Sequence, residues 1–452
     1  MANAAAPAVP LSPQQVAMMS ASQRQAYFNS LPANQQSAAL AAYQQYQVSM
    51  NRAYMKNTLR KIAVCPQSSG GALSQAWNAG QVLNYTIPSA NNAFTEGVIV
   101  RMVLSVTLAT GTSATYAANA AWPLNLIDNI LVTYNGTQHR FRPYILKYLS
   151  QLMGYLNPPV PYTVIAANSD STTQNYLNTG INFSTTGSAQ NLYVEFYVPF
   201  NALHPQDARG LLPTMGGETV PQVAIQCCSQ PLGVDPILNC IAATGGSGNA
   251  VTVTGTVQVY AVYRDGTSLM GPITQALDLS GLGTCQYAID IPLNNLQAGT
   301  VYRQKVSILD KLYWVISTIV DGNQSSKFAS NTNILVLEAD KDSVGNNVFW
   351  KYGIGTNLSV EEYFAQFRAP FGIVPIGQDL DEGIIPWVTA PIYNEPDPAN
   401  LGGTHYLDTS LSGWTDFHYG VQLNSVGSVS GINPRVETHV ILINSQGLQS
   451  AS

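Results

Sequence analysis

The chain has 452 residues and is 46% apolar, but only 10% of it is charged, where about a quarter is usual. That deficit excludes a nucleic-acid enzyme with a basic channel and a charge-rich disordered chain, and the length suggests two or three domains of roughly 150 residues. At a net charge of −6 the surface has to be made of uncharged Asn, Gln, Ser and Thr. Such a surface suits a subunit that buries its sides against copies of itself better than a free protein kept soluble by charge.

The first 15 residues, MANAAAPAVPLSPQQ, have neither a basic start nor a compact apolar core, so no signal peptide is expected. No run of 18 uncharged apolar residues occurs, so no transmembrane helix is expected either. Residues 12–62 read as a helical arm within a segment 1–65. Ser12 with Pro13 gives an N-cap and a proline at the first helical position. Leu31-Pro32 interrupts the helix, and Asn34 can cap a second one running to about Lys61. Leu40, Tyr43, Gln47, Met50, Tyr54 and Thr58 recur at spacings of three and four as one mostly apolar stripe. Arg52, Lys56 and Arg60 form a basic stripe beside it, followed by Lys61.

Charge is distributed unevenly. Up to Ile62 there are five basic residues, Arg24 among them, and no acid; the first acid is Glu96. The remainder holds 14 basic and 25 acidic residues, or −11. A basic arm on an acidic body points to a polyanion, either anionic lipid headgroups or packaged nucleic acid. The plainer alternative is a helix packed on its own protein with a solvated charged edge. The candidate contact residues are Met50, Arg52, Tyr54, Lys56, Arg60 and Lys61.

After Gly70-Gly71 the pattern turns to Val, Ile, Thr and Tyr runs between Gly, Pro, Asn and Ser clusters. Predicted strands are 82–87, 98–109, 129–134, 192–198, 222–227, 251–263, 286–291, 302–309, 313–320, 334–338, 384–389, 415–423 and 437–443. Short helical pieces fall at 143–153 and 359–367. Many strands spaced by turns argue for sandwiches or jelly rolls. At an offset of 204, Ile87-Pro88 matches Ile291-Pro292, Asn129-Ile130-Leu131-Val132 matches Asn333-Ile334-Leu335-Val336, and Lys147-Tyr148 matches Lys351-Tyr352. This order suggests two copies of one β-unit, 66–265 and 285–452, joined by 266–284.

Signs of catalysis are absent. There is no GxGxxG, P-loop, HExxH or GxSxG. The five histidines (His139, His204, His405, His418, His439) show no ligand spacing, although His405 and His418 flank Asp408 and Asp416. The five cysteines (Cys65, Cys227, Cys228, Cys240, Cys285) fit no zinc pattern and read as buried free thiols. Glu338, Asp340 and Asp342 alternate, and Asp379, Asp381 and Glu382 share a loop; either group has the chemistry for a structural cation, and charges solvated at strand ends are the plainer reading. No catalytic residue, cofactor or metal site is assigned. Tyrosine, at 24 residues, suits half-wet interfaces.

A basic helical arm followed by two β-units of low charge resembles the double jelly-roll major capsid proteins of tectivirus-like, internal-membrane icosahedral bacteriophages. The likeness rests on architecture across the whole chain, and the arm of about 60 residues is long for it. It implies an all-β fold of two consecutive viral jelly rolls behind an α-helical arm. It also implies a structural, non-enzymatic subunit forming pseudo-hexagonal trimeric capsomers, with the arm toward an interior membrane or genome. The partners implied are the homotrimer, neighbouring capsomers, and other capsid and vertex proteins. The location implied is the virion, after synthesis in the host cytoplasm. Alternatives are a phage spike or fibre, a lectin-like carbohydrate-binding protein, or a jelly-roll carbohydrate enzyme, none of which explains a cationic helical arm.

Overall fold

A computed structural model describes residues 11–88, 93–111, 115–134, 137–145, 164–167, 181–200, 211–213, 220–265, 284–287, 291–294, 296–306, 311–340, 348–354, 359, 362, 383–389, 407–408 and 417–444.

The arm is three helices, α1 Pro13–Ala17, α2 Ala21–Ser30 and α3 Ala33–Asn57. Ser12 caps α1 as expected, in a reciprocal box with Gln15. The helix expected to run on from there breaks at Ser20, which forms a second box with Gln23 and restarts the helix as α2. The interruption at Leu31-Pro32 holds: Leu31 is extended. Asn34 does not cap α3; Pro32 holds the N-cap position and Asn34 lies inside the helix. Val16, Ala17 and Tyr43 form a small core of the arm's own, with Leu11, Tyr27, Phe28, Tyr46 and Met50 packed on it.

The first roll comprises β1 Leu59–Val64, β2 Gln75–Ala76, β3 Val82–Thr86, β4 Ala93–Leu108, β5 Thr115–Ala118, β6 Ile127–Tyr134, β7 Thr137–Phe141, β8 Val164–Ala167, β9 Ala189–Pro199, β10 Leu212–Pro213, β11 Gln222–Cys227, β12 Ile241–Thr244 and β13 Val251–Asp265. The second comprises β14 Thr284–Tyr287, β15 Ile291–Asn294, β16 Val301–Val306, β17 Lys311–Val320, β18 Ile334–Asp340, β19 Val348–Gly353, β20 Ile384–Thr389, β21 Leu407–Asp408, β22 Phe417–Leu423 and β23 Arg435–Asn444. Every predicted strand overlaps one of these. The stretch 286–291 is divided between β14 and β15, both paired to β23. The candidate helices 143–153 and 359–367 and the connection 266–284 lie largely outside the described residues.

Alternation explains the sandwiching. On β4, Val98, Val100, Met102, Leu104 and Val106 are buried while the residues between them face outward. Gly255 on β13 has φ +137°, and a Cβ there would lie 2.2 Å from the Val103 carbonyl oxygen, so only glycine fits.

Each roll wraps in the same way. In the first, one sheet runs β1-β13-β4-β9-β8, with β2 also on β13, and the facing sheet runs β3-β11-β6-β7. In the second, the sheets run β14-β23-β17-β20, with β15 also on β23, and β16-β22-β18-β19. Taking β1 with β2, and β14 with β15, as the first strand of eight, both rolls have sheets in the order first-eighth-third-sixth and second-seventh-fourth-fifth. Even the short extra strands agree, since β10 pairs β4 as β21 pairs β17. The doubling expected from the sequence is therefore real. Of the three matches at offset 204, Asn-Ile-Leu-Val lands on equivalent strands, β6 and β18, each preceded by a 3-10 turn, and Lys147-Tyr148 lies outside the described residues. Ile87 follows β3 whereas Ile291 starts β15, so that match is fortuitous.

One element of the arm is corrected. Helix α3 ends at Asn57, not near Lys61, because Thr58 turns extended and its hydroxyl donates to the Tyr54 carbonyl. Residues 59–64 instead form β1, antiparallel to β13 from Leu59↔Asp265 to Val64↔Tyr260. The first roll's sheet thus begins inside the stretch expected to be arm.

Candidate functional site

Two constructions join the parts of the molecule. The first is the base of the arm. Tyr54, in the last turn of α3, is fully buried; its ring meets Phe94 edge-on at 5.5 Å and its hydroxyl donates to the Arg264 carbonyl at 3.2 Å. Burial pushes that hydroxyl's pKa above the usual tyrosine range. On β1 the Arg60 guanidinium grips buried Glu96 through two bonds, Nε to Oε2 at 2.9 Å and Nη2 to Oε1 at 2.6 Å, and Arg264 approaches the same carboxylate at 3.3 Å. Lys61 pairs with Asp265.

The basic stripe is therefore not one helix face. Arg60 and Lys61 sit on a strand with acids of the first roll. Tyr54 is spent on docking the helix, and Met50 lies against the arm's own core. Lys56 remains exposed in the last turn of α3, and Arg52 lies in α3 with its side chain outside the described residues. Leu40, at the far end of the apolar stripe, is exposed.

The second construction is a charged seam between the rolls. Arg435, at the start of β23, donates from Nη1 and Nη2 to the two oxygens of Asp235 at 2.7 and 3.0 Å, and from Nε to Glu437 at 2.7 Å. Asp235 lies in the turn between β11 and β12, so this fork crosses from one roll to the other. Arg142, just after β7, bonds the other oxygen of Glu437 at 2.8 Å and also pairs with Asp128. Tyr144 packs edge-on against His439, ring centroids 5.9 Å apart. All but Asp128 are buried. Burial by itself would raise the Asp235 pKa; the Arg435 fork and the Ile237 and Leu238 N–H groups outweigh it and leave the carboxyl below its usual range. Apolar contact continues the seam: Ile316, Val320, Phe328, Ile384 and Ile432 of the second roll join the first roll's core. Ser326 bridges by backbone, accepting from Ala120 N–H and donating to the Val234 carbonyl, both at 2.9 Å.

The acids considered for a cation have protein partners. Glu338 and Asp340 on β18 are fully buried; Arg303 reaches Glu338 at 2.5 Å and Asp340 at 3.3 Å, and Lys351 reaches Glu338 at 3.4 Å. Gly420 on β22 leaves room for this carboxylate, since a Cβ there would meet Glu338 Cγ at 2.7 Å. Asp342 and residues 379–382 lie outside the described residues. Among the described residues no three His, Cys, Asp or Glu side chains are grouped to hold a metal, and no helix is long and apolar enough to cross a membrane. His418 and His439 are buried on strands of different sheets; His405 and Asp416 are outside the described residues. Cys65, Cys227, Cys228 and Cys240 are buried and unbridged.

No family model and no curated protein matches the sequence. Solved structures do match. The crystal structure of the STIV major capsid protein aligns with a TM-score of 0.55 at 15% identity, over 87% of this chain and all of that one. A chain in the atomic structure of Sulfolobus turreted icosahedral virus aligns with a TM-score of 0.51 at 16% identity, over 86% of this chain and 92% of that one. The chain thus has the double jelly-roll fold found in viral major capsid proteins.

Proposed function

We propose that the protein is a structural virion protein, the major subunit of an icosahedral shell, and that three chains form each capsomer. The observation that carries this is the duplication: two rolls of identical strand order lie side by side, fixed by a buried seam. Two rolls per chain turn a three-fold assembly into a ring of six similar units, which tiles with six neighbours. The neutral polar surface supports the reading, because a crowded lattice of strongly charged bodies would repel itself. The likeness to a solved major capsid protein supports it as well. In this reading the chain carries no catalysis. Its partners are copies of itself and the other shell and vertex proteins, and its place is the virion.

The arm faces the interior and touches anionic lipid or genome. Lys56 and Arg52 are the cations suited to that contact, since Arg60 and Lys61 already neutralise Glu96 and Asp265. The experiment is negative-stain microscopy of the purified protein. Six-lobed rings are expected; isolated two-lobed particles at all concentrations would contradict the capsomer.

A further inference from the structure

The turn that presents Asp235 to the second roll has a cysteine at each end. Cys228 directly follows β11 and Cys240 directly precedes β12; both are buried and unbridged. Their surroundings bring the two sulfurs to one spot. The Cys228 N–H bonds the Leu126 carbonyl at 3.0 Å, and the Cys240 thiol donates to the adjoining Asn125 carbonyl at 3.3 Å. The Cys228 thiol reaches across the neck of the turn to the Leu238 carbonyl, also at 3.3 Å. The two thiols hydrogen-bond to each other.

The turn is fixed independently of them. The Pro231 carbonyl accepts from the Cys240 and Ile241 N–H groups, both at 2.9 Å. The Asn119 amide donates to the carbonyls of Gly233, Asp235 and Asn239 at 3.1, 3.1 and 2.7 Å. The Asn239 side chain donates to the Gln230 carbonyl at 2.9 Å and accepts from the Asp235 N–H at 3.0 Å. The sulfurs are thus held together before any bond forms between them, and ordering them costs little further entropy.

The pair also differs from the other buried thiols in reactivity. Burial pushes Cys65 and Cys227 up to about 12. The hydrogen bond from Cys240 instead holds Cys228 below its ordinary thiol value, against the effect of burial, while burial pushes Cys240 up. Cys228 is therefore the nucleophile of the pair. It lies under Leu238, which is 44% exposed, so a reagent reaches it by displacing a surface side chain and not by opening the core.

We propose that Cys228 and Cys240 close to a disulfide when the folded chain meets a low-molecular-weight disulfide, stapling the turn that holds the second roll. The Cys228 thiol first gives its proton to solvent. Its thiolate attacks one sulfur of RS–SR; the Cys228–S–S–R bond forms, the RS–SR bond breaks and RS⁻ leaves. Cys240 then loses its proton, and its thiolate attacks the Cys228 sulfur and expels the second RS⁻. The two RS⁻ take up two protons, so two protein thiols are oxidised and one RS–SR is reduced to two RSH. Closing this neck restricts the unfolded chain across 13 residues and keeps Asp235 opposite Arg435. The timing, reduced during synthesis and oxidised outside the cell, rests on the virion reading; the chemistry of the pair does not.

The test uses the full-length chain, purified reduced, freed of reductant and incubated with oxidised glutathione under native conditions. Remaining thiols are alkylated and the peptides are mapped by mass spectrometry with and without reduction. Two of the five thiols are expected to disappear as a Cys228–Cys240 link, the thermal unfolding midpoint to rise by about 5 °C, and dithiothreitol to reverse both changes. Cys228→Ser and Cys240→Ser chains should show neither change. If either variant fails to fold, the peptide map of the unaltered chain decides alone. Five free thiols after incubation, glutathione left on Cys228, a link through Cys227 or Cys285, or a Cys228–Cys240 link formed only after unfolding would each overturn the inference. Light scattering on the same samples separates it from the capsomer reading: a trimer without the bond overturns the thiol pair alone, and a monomer that forms the bond supports the pair and overturns the capsomer alone.

Discussion

At Arg435 one guanidinium satisfies two buried carboxylates, Asp235 and Glu437, and holds the rolls together. Arg435→Met takes the guanidinium away from buried Asp235 and leaves Glu437 with Arg142, and removing one partner of a buried ion pair costs about 3–5 kcal/mol. That loss should appear in denaturant unfolding, and a change below about 1 kcal/mol would show that the seam is not holding the rolls. Because the folded-state pKa of Asp235 is depressed, its contribution is complete above the ordinary carboxylate value of 3.8 and is lost as pH falls through the folded value. An acid titration should therefore destabilise the native chain more steeply than Asp235→Asn, which lacks this term. Burial pushes the Cys65 and Cys227 thiols up to about 12, so neither is ionised at neutral pH. In a Cys285→Ser background, Ellman's reagent should label the native protein slowly and reach all four remaining thiols only in denaturant. The seam itself could not be read from the sequence. Its partners Asp235 and Arg435 stand 200 residues apart, and the alternation Arg435-Val436-Glu437 looks like a strand with one wet face until another roll covers that face.

At the scale of elements, long alternating runs were legible because burial of one face imposes a period of two; β4, β11 and β13 are examples. Short strands such as β7 and β12 were not, since they take their identity from their neighbours. The most instructive error is residues 59–64. The run from Tyr54 to Lys61 has helical composition, yet Thr58, Ile62 and Val64 are β-branched, and six residues of pairing with β13 outweigh local preference. The same error made Arg60 and Lys61 look like free cations, because Glu96 and Asp265 lie 36 and 204 residues away in sequence. The arm leads to two predictions. Tyr54→Ala removes the ring between α3 and Phe94, so limited proteolysis near residue 58 should accelerate, while the rolls, whose cores do not include Tyr54, unfold as before. Charge reversal of Arg52 and Lys56 to Glu should weaken flotation of the full-length protein with anionic vesicles. At about 1 kcal/mol per basic residue near such a surface, removing two attractions lowers affinity roughly 30-fold at low salt. Unchanged flotation would remove lipid as the arm's partner.

For the whole molecule, the doubling was legible in outline, as two runs of strands behind a helical arm. The sequence offset that suggested it was only partly sound. Of the two matches that fall on described residues, one lies on equivalent strands, because a sandwich keeps its strand order while its side chains and loops drift, and β5, β8 and β12 have no counterpart among the described strands of the second roll. In the proposed capsomer the duplication has a use, since three chains of two rolls each would make a ring of six similar units. The mass of the purified protein in dilute solution, measured by multi-angle light scattering, tests this most directly. Three times the 48.5 kDa chain is the predicted result, and a stable monomer or dimer would contradict it.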